Sequence, residues 1–296
     1  VRTAKRRAVS STAIDRFILN SMRLGFDPPT SQPTYPKDAK AASVISIDFD
    51  HLTRSSKSDA THWIPEKSEA LLLRNRVGTK ELIALSERYS VPMTWAICGE
   101  TAEDDPRSYQ RILDSTSLQE VGVHTYGHID VSGSSESELE TDIEKCLEVL
   151  KLPERPSTFI FPWNRDGHFE LLTKLGFRAY RDKKRVVGAP RIEHGMINIP
   201  PTYYVDQKSF GAEGLMVQYL ELCISWNSVF HLWLHPWSVT PEGSESTAKT
   251  FVEKTLAPLF SHMDKKRSEG VLSLCTMRDL SATFAESEKK TNTLDY

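Results

Sequence analysis

From Ser43 onward, short apolar runs alternate with longer stretches of helical periodicity. SVISIDFD is β-branched and apolar until it ends in acids; TKELIALSERYS follows with helical spacing, then the apolar VPMTWAIC. YQRILDST reads as a helix before EVGVHTYGH, and ESELETDIEKCLEVLKL puts Leu139, Ile143, Cys146, Leu147 and Leu150 on one face. STFIFPWN, the helical HFELLTKLG and FRAYR come next, and INIPPTYYV reads as one further strand. GLMVQYLELCISW is helical, VFHLWLHPW a strand, TAKTFVEKTLAPLFSHMDKK helical, and GVLSLCTM closes the series. Nearly continuous apolar runs between helices specify parallel strands covered on both faces. Seven or eight such units favour an α/β fold with about seven parallel strands in a closed or nearly closed (β/α) barrel, as a single domain, over an open doubly wound sheet.

The pattern divides the chain into an N-terminal helix and extended connector (1–42), the barrel (43–286) and a C-terminal tail (287–296). In AIDRFILNSMRLGF, Ile14, Phe17, Ile18 and Met22 recur at helical spacing beside Arg16 and Arg23. The plain reading is a helix packed on the outside of the barrel; the alternative is a basic helix making peripheral contact with an anionic membrane surface.

Composition narrows the function classes. A net charge of −3 with 26% charged residues argues against a nucleic-acid partner recruited by overall positive charge. No apolar run approaches the roughly 18 residues that cross a bilayer, and the basic start lacks a compact apolar segment and a small-residue cleavage site. The expected location is therefore the cytoplasm, with the membrane surface as its variant. The four cysteines, Cys98, Cys146, Cys223 and Cys275, are widely spaced and read as buried free thiols. No P-loop or G-x-G-x-x-G is present, so nucleotide chemistry has no local support.

Reactive residues collect at the carboxyl ends of the strand runs: Asp48 and Asp50, then His124 and His128, then Pro162, Trp163 and Asn164, then Arg181 and Asp182, then His235. In parallel α/β architectures those ends share one rim, where active sites lie. Asp48 and Asp50 point to one side of a strand; two carboxylates there are costly unless paired, hydrogen-bonded or metal-bound, or else already solvated in the loop beyond. His124-Thr125-Tyr126-Gly127-His128 aligns two imidazoles if it makes one helical turn, with Gly127 permitting a tight backbone. Two imidazoles suit zinc or another first-row divalent ion, and a carboxylate would complete a three-ligand site with an open position; two surface histidines are the plain alternative. In HLWLHPW, His235 sits at the strand mouth and His231 reads as structural, while alternation is read as turning Trp233 away from His235.

Together these segments resemble the polysaccharide deacetylase family, carbohydrate esterase family four, over about Ser43 to Thr283. Asp48 and Asp50 match its first motif as Asp-x-Asp, HTYGH its second, FIFPWN the place of its third, and LWLHPW its fifth. The FHLWxHP and FPxN wording is most similar to a branch associated with surface-glycan biosynthesis. The resemblance implies a distorted (β/α) barrel that removes N-acetyl groups from an amino sugar of a glycan or glycan precursor, using one divalent metal ion, Zn2+ first among the candidates. It assigns Asp50, His124 and His128 to the metal, Asp48 to the general base and His235 to the general acid. A backbone N–H near Trp163 or Asn164 is expected to meet the developing oxyanion, and Asp182 to raise the pKa of His235 by proximity. Two departures stand out. FIFPWN lacks the third-motif arginine that orients the base, leaving Arg165 or Arg181 as substitutes; His51 replaces the usual glycine and is an extra ligand or substrate contact. Trp95, Trp163, Trp233 and Trp237 are candidates for stacking on sugar rings. Other readings keep the site and change the amide, to a formylated sugar or a cyclic amide, or make the barrel a non-catalytic glycan binder.

Overall fold

The computed structural model describes residues 25–27, 29 and 33–294, with side chains described as far as Lys289. The expected N-terminal helix lies outside the described residues. Eight strands form a parallel array: β1 (Ala41–Phe49), β2 (Met93–Ile97), β3 (Gln119–Val123), β4 (Thr158–Ile160), β5 (Ala179–Arg181), β6 (Met196–Asn198), β7 (Tyr203–Val205) and β8 (Val229–Leu234), in spatial order β7-β8-β1-β2-β3-β4-β5-β6. Leu272–Leu274 adds a parallel partner to the first half of β1. The antiparallel elements are peripheral: Arg191–Glu193 pairs with β6, and Val186–Gly188 meets β8 at a single position. The result is a curled, mostly parallel α/β sheet that forms a half-barrel in one domain.

The two ends of the array are consecutive in the chain. INIPPTYYV splits at Pro200 and Pro201: β6 pairs with β5, whereas β7 pairs with β8. Neither proline has an N–H to donate, so an unbroken ladder is chemically excluded there. The bonds resume on either side, Ile199 N–H to Tyr180 O (2.9 Å) and Thr202 N–H to His231 O (2.7 Å).

Alternation along β1 explains both core and site. Ala41, Ile45, Ile47 and Phe49 pack outward against the helices, while Ala42 and Val44 join Ile160, Ala179, Ile197, Val229, Met277 and Leu280 inside the barrel. The same inward face continues as Ser46 and Asp48, with Asp50 just past the strand, so the barrel is apolar at its base and polar at its mouth. The C-terminal helix Met277–Leu294 covers the base through Met277 and Leu280, and it runs on past residue 287. All four cysteines are buried and free, and no helix among the described residues is long and apolar enough to cross a membrane.

The helix expected to start at Thr79 begins ten residues earlier, as Glu69–Tyr89, capped by Ser68, whose hydroxyl accepts from Leu71 N–H. Gly78, which breaks the apolar rhythm in the sequence, is where this helix touches the loop after β8: a Cβ there would sit 1.9 Å from Pro236 O. Close approach, not helix termination, is the reason for glycine.

Candidate metal centre and active site

Asp50, His124 and His128 converge at the barrel mouth, all buried, with one potential ligand atom from each lying within 4.8 Å of the others. The Nε2 atoms of His124 and His128 lie 3.8 and 3.9 Å from Asp50 Oδ2. Both spacings are below twice the usual metal–ligand distance of about 2.0–2.1 Å, so a single cation can touch the carboxylate and either ring. His124 Nδ1 faces Ile160 O at 2.7 Å, which fixes the tautomer with Nε2 bare and aimed at the cluster. Asp50 Oδ2 is buried without a hydrogen-bond donor. Burial, then the charge of Asp48, drives the Asp50 pKa well above the usual carboxylate range; burial, then the neighbouring histidines, drives His128 well below its usual value. An orphaned carboxylate oxygen beside neutral imidazoles is the donor set a divalent cation satisfies.

The backbone of HTYGH is not a helical turn. Thr125 (φ 60°) and His128 (φ 53°) take the left-handed conformation, whereas Gly127 does not. Asp142, on the helix Glu136–Leu150, holds the bend by accepting from the N–H groups of Tyr126 (2.6 Å) and Gly127 (3.0 Å). The chain thus keeps two non-glycine residues strained where its imidazoles must point inward.

Asp48 sits beside the cluster in a bidentate pair with Arg181: Nη1 to Oδ1 at 2.7 Å and Nη2 to Oδ2 at 2.6 Å, with Arg181 fully enclosed. Burial would raise the Asp48 pKa, but the guanidinium outweighs it and holds the carboxyl well below its ordinary range. Arg181 Nη1 also donates to Ser46 Oγ (3.0 Å), which lies 2.8 Å from His231 Nε2; His231 Nδ1 meets Ile199 O at 2.9 Å. With Nδ1–H donating to that carbonyl, Nε2 accepts from Ser46 and the serine lone pairs face the guanidinium, giving one self-consistent chain. His231 is structural, and burial lowers its pKa to about 3.

His235 Nε2 stands 3.5 Å from Asp50 Oδ2 and 3.9 Å from Asp48 Oδ2. Trp237 stacks on the ring at 4.3 Å, and Tyr204 Oη lies 3.5 Å from Nδ1. Burial lowers the His235 pKa to about 4, against the opposing pull of Asp48. Asn75 links this loop to the first strand: its amide nitrogen donates to Asp50 O, and its Oδ1 accepts from Trp237 N–H (3.1 Å).

The remaining sequence candidates fall elsewhere. Arg165 pairs with buried Asp130 (2.7 Å) and reaches Thr61 O, so of the two substitute arginines it is Arg181 that meets Asp48. Asn164 Oδ1 touches Arg181 at 3.4 Å, but its N–H is bonded to Phe161 O. Trp163 packs edge-on against His128 at 4.5 Å. Asp182 does not serve His235; its carboxylate accepts from the N–H groups of Lys183 and Lys184, turning its own loop. His51 faces Thr101 (2.9 Å) and Asp104 (3.3 Å), away from the cluster. Trp95 is wholly core. Trp233 lies toward His235, at 5.6 Å between rings, because residues two apart on a strand share a face. Ser46, Asn75, Asp142 and Tyr204 escape the sequence reading; only Ser46 carried a signal, the same parity as Asp48 and Asp50.

A curled parallel barrel whose mouth holds a buried Asp-His-His triad next to an arginine-paired aspartate has the layout of a hydrolase with a metal-binding site. Residues 42–177 match the polysaccharide deacetylase family. The chain is 28% identical over 118 residues to a peptidoglycan deacetylase of Helicobacter pylori, a match spanning 38% of this chain and 40% of that protein. A polysaccharide deacetylase structure from Mycobacterium smegmatis shares the fold with TM-score 0.65 at 16% identity, covering 88% of this chain and 96% of that one. One from Pseudomonas aeruginosa gives 0.63 at 16% identity (86% and 94%), and the allantoinase Puue 0.61 at 16% identity (86% and 93%).

Proposed function

We propose that this protein is a metal-dependent deacetylase that removes N-acetyl groups from an amino sugar of a glycan or glycan precursor. The observation that carries the reading is the convergence of Asp50, His124 and His128 within 4.8 Å of one another, with Asp48 and His235 beside them. A divalent cation held by those three residues, zinc by the chemistry of the donor set, would lower the pKa of water from about 15.7 toward about 7 and polarise the amide carbonyl. Asp48 is the base. Arg181 keeps it ionised and fixes both its oxygens, so it accepts the proton of the attacking water in one orientation. An amine leaves poorly unless protonated, and His235 supplies that proton. The ring is neutral when free, and its Nε2 lies 3.9 Å from Asp48 Oδ2, giving the proton taken by the base a short path to the leaving nitrogen. With the Asn164 N–H engaged, the backbone donor assigned to the oxyanion is that of Trp163.

The test is an acetate-release screen over N-acetylhexosamine monomers, oligomers and activated donors, run with elemental analysis of the same preparation. Acetate release that tracks zinc content supports the reading. Because the fold is shared with an allantoinase, N-formylated sugars and allantoin belong in the same screen. Turnover confined to either of those would replace acetyl removal with cleavage of another C–N amide.

A further inference from the structure

We propose that a second, basic cleft beside the reaction centre binds an oxyanionic group carried by the sugar substrate. This rests on the deacetylase reading and adds the substrate's charge to it. The cleft encloses about 490 Å³ and is lined by Lys183, Arg185 and Lys208 together with Tyr203, Tyr204 and Trp233. Its aromatic wall is shared with the active site. Tyr204 stacks on Trp233 at 4.0 Å, the Arg181 guanidinium lies over the same indole at 4.1 Å, and Tyr204 Oη reaches His235 Nδ1 at 3.5 Å. A group seated there is continuous with the side from which His235 protonates the departing nitrogen, and so with the sugar rather than the acetyl group.

Among the described residues no carboxylate forms an ion pair with Arg185 or Lys208, and Lys183 has only a loose, exposed contact with Asp166 at 3.9 Å. The one acid in the lining, Asp206, uses Oδ1 to hold its own turn, accepting from Lys208 N–H (2.9 Å) and Ser209 Oγ (3.2 Å). Arg185 is half-buried against the tyrosine wall, where an unpartnered guanidinium gains most from a planar or tetrahedral oxyanion. The groove on the far side of the metal cluster has the opposite character. It contains Trp63 and Tyr126 with Asp130, Glu138 and Asp142, and one lysine. In a chain of net charge −3, Arg185 and Lys208, with Lys183 only loosely paired beside them, select a substrate with a negative end.

Two sources of that oxyanion are a phosphate ester at the sugar's anomeric position and the carboxylate of a neighbouring uronic acid. Acetate release and binding calorimetry are measured with N-acetylglucosamine 1-phosphate, an N-acetylglucosamine–glucuronic acid disaccharide, and neutral N-acetylglucosamine and its dimer. Arg185→Gln and Lys208→Glu are compared with the unaltered protein, and retained metal content and melting midpoint certify the fold. The expected result is a preference of about tenfold or more in kcat/KM for one anionic substrate over its neutral counterpart, weakened by added salt and lost in Lys208→Glu. Equal turnover of neutral and anionic sugars, or unaltered affinity for both anions in the two variants, overturns the proposal and leaves the deacetylase reading standing. Anion binding that fails in the variants while no sugar yields acetate upholds the cleft and refutes the deacetylase reading.

Discussion

At the scale of single residues, the Asp48–Arg181 pair decides how the centre behaves. Asp48 and Asp50 are both buried at the same mouth, and one guanidinium offsets them. Removing one member of a buried pair typically costs about 3–5 kcal/mol, because the other charge is stranded. Arg181→Met and Asp48→Asn are therefore both expected to lower stability, and Asp48→Asn to lose acetate release by about 10²–10⁴-fold as well. Urea unfolding run beside the activity assay separates the two effects; stability unchanged in both variants would contradict the pairing. The positions of Asp48, Asp50, His124, His128 and His235 are legible in the sequence because each ends a strand run of a parallel fold. The partner of Asp48 is not, since Arg165 and Arg181 both follow strand ends and only tertiary packing distinguishes them. Asp182 misleads for the same reason: adjacency to Arg181 in the chain says nothing about which carboxylate His235 meets.

Among the elements, the helix Glu69–Tyr89 positions chemistry while contributing no reacting group. Asn75 ties Asp50 to the loop after β8, Arg74 donates to Trp237 O (2.6 Å) and Thr240 O (2.8 Å), and Gly78 lets the helix lie against Pro236. Gly78→Ala sets two effects against each other. Alanine favours a helix interior by about 1 kcal/mol, but its Cβ would overlap a backbone oxygen at 1.9 Å, which no rotamer relieves. The clash wins, and the loop bearing His235 must shift. A sharp loss of kcat at unchanged metal content is the expected outcome; full activity would show that the loop tolerates displacement. Sequence periodicity hides this helix start because Gly78 looks like punctuation, and its use appears only once Pro236 is seen against it. INIPPTYYV is read correctly as extended, yet its change of partner at the two prolines follows from the curl of the sheet, whose two ends are consecutive in the chain; no local pattern encodes that curl.

For the whole molecule, the interior stores neutral histidines. Burial lowers His231 from 6.5 to about 3, so between those values the unfolded chain binds a proton that the folded one refuses. Stability therefore rises with pH through that window and falls as pH drops from about 6.5 toward 3, by up to about 1.4 kcal/mol per pH unit for one such group. His231→Gln should flatten the slope of unfolding free energy against pH over this range, although it lowers stability at neutral pH by weakening the contact with Ser46. An unchanged slope would mean that His231 takes up its proton without unfolding. The divided strand has a different consequence. Beyond Pro201 the backbone answers to β8 alone, with Val205 in register with Leu234, the residue before His235. Tyr204 and the imidazole are thus carried on one paired ribbon, while Asp48 stands on β1 and its guanidinium on β5. On the proposed reading, whatever tugs on the tail of a bound sugar is felt first by His235.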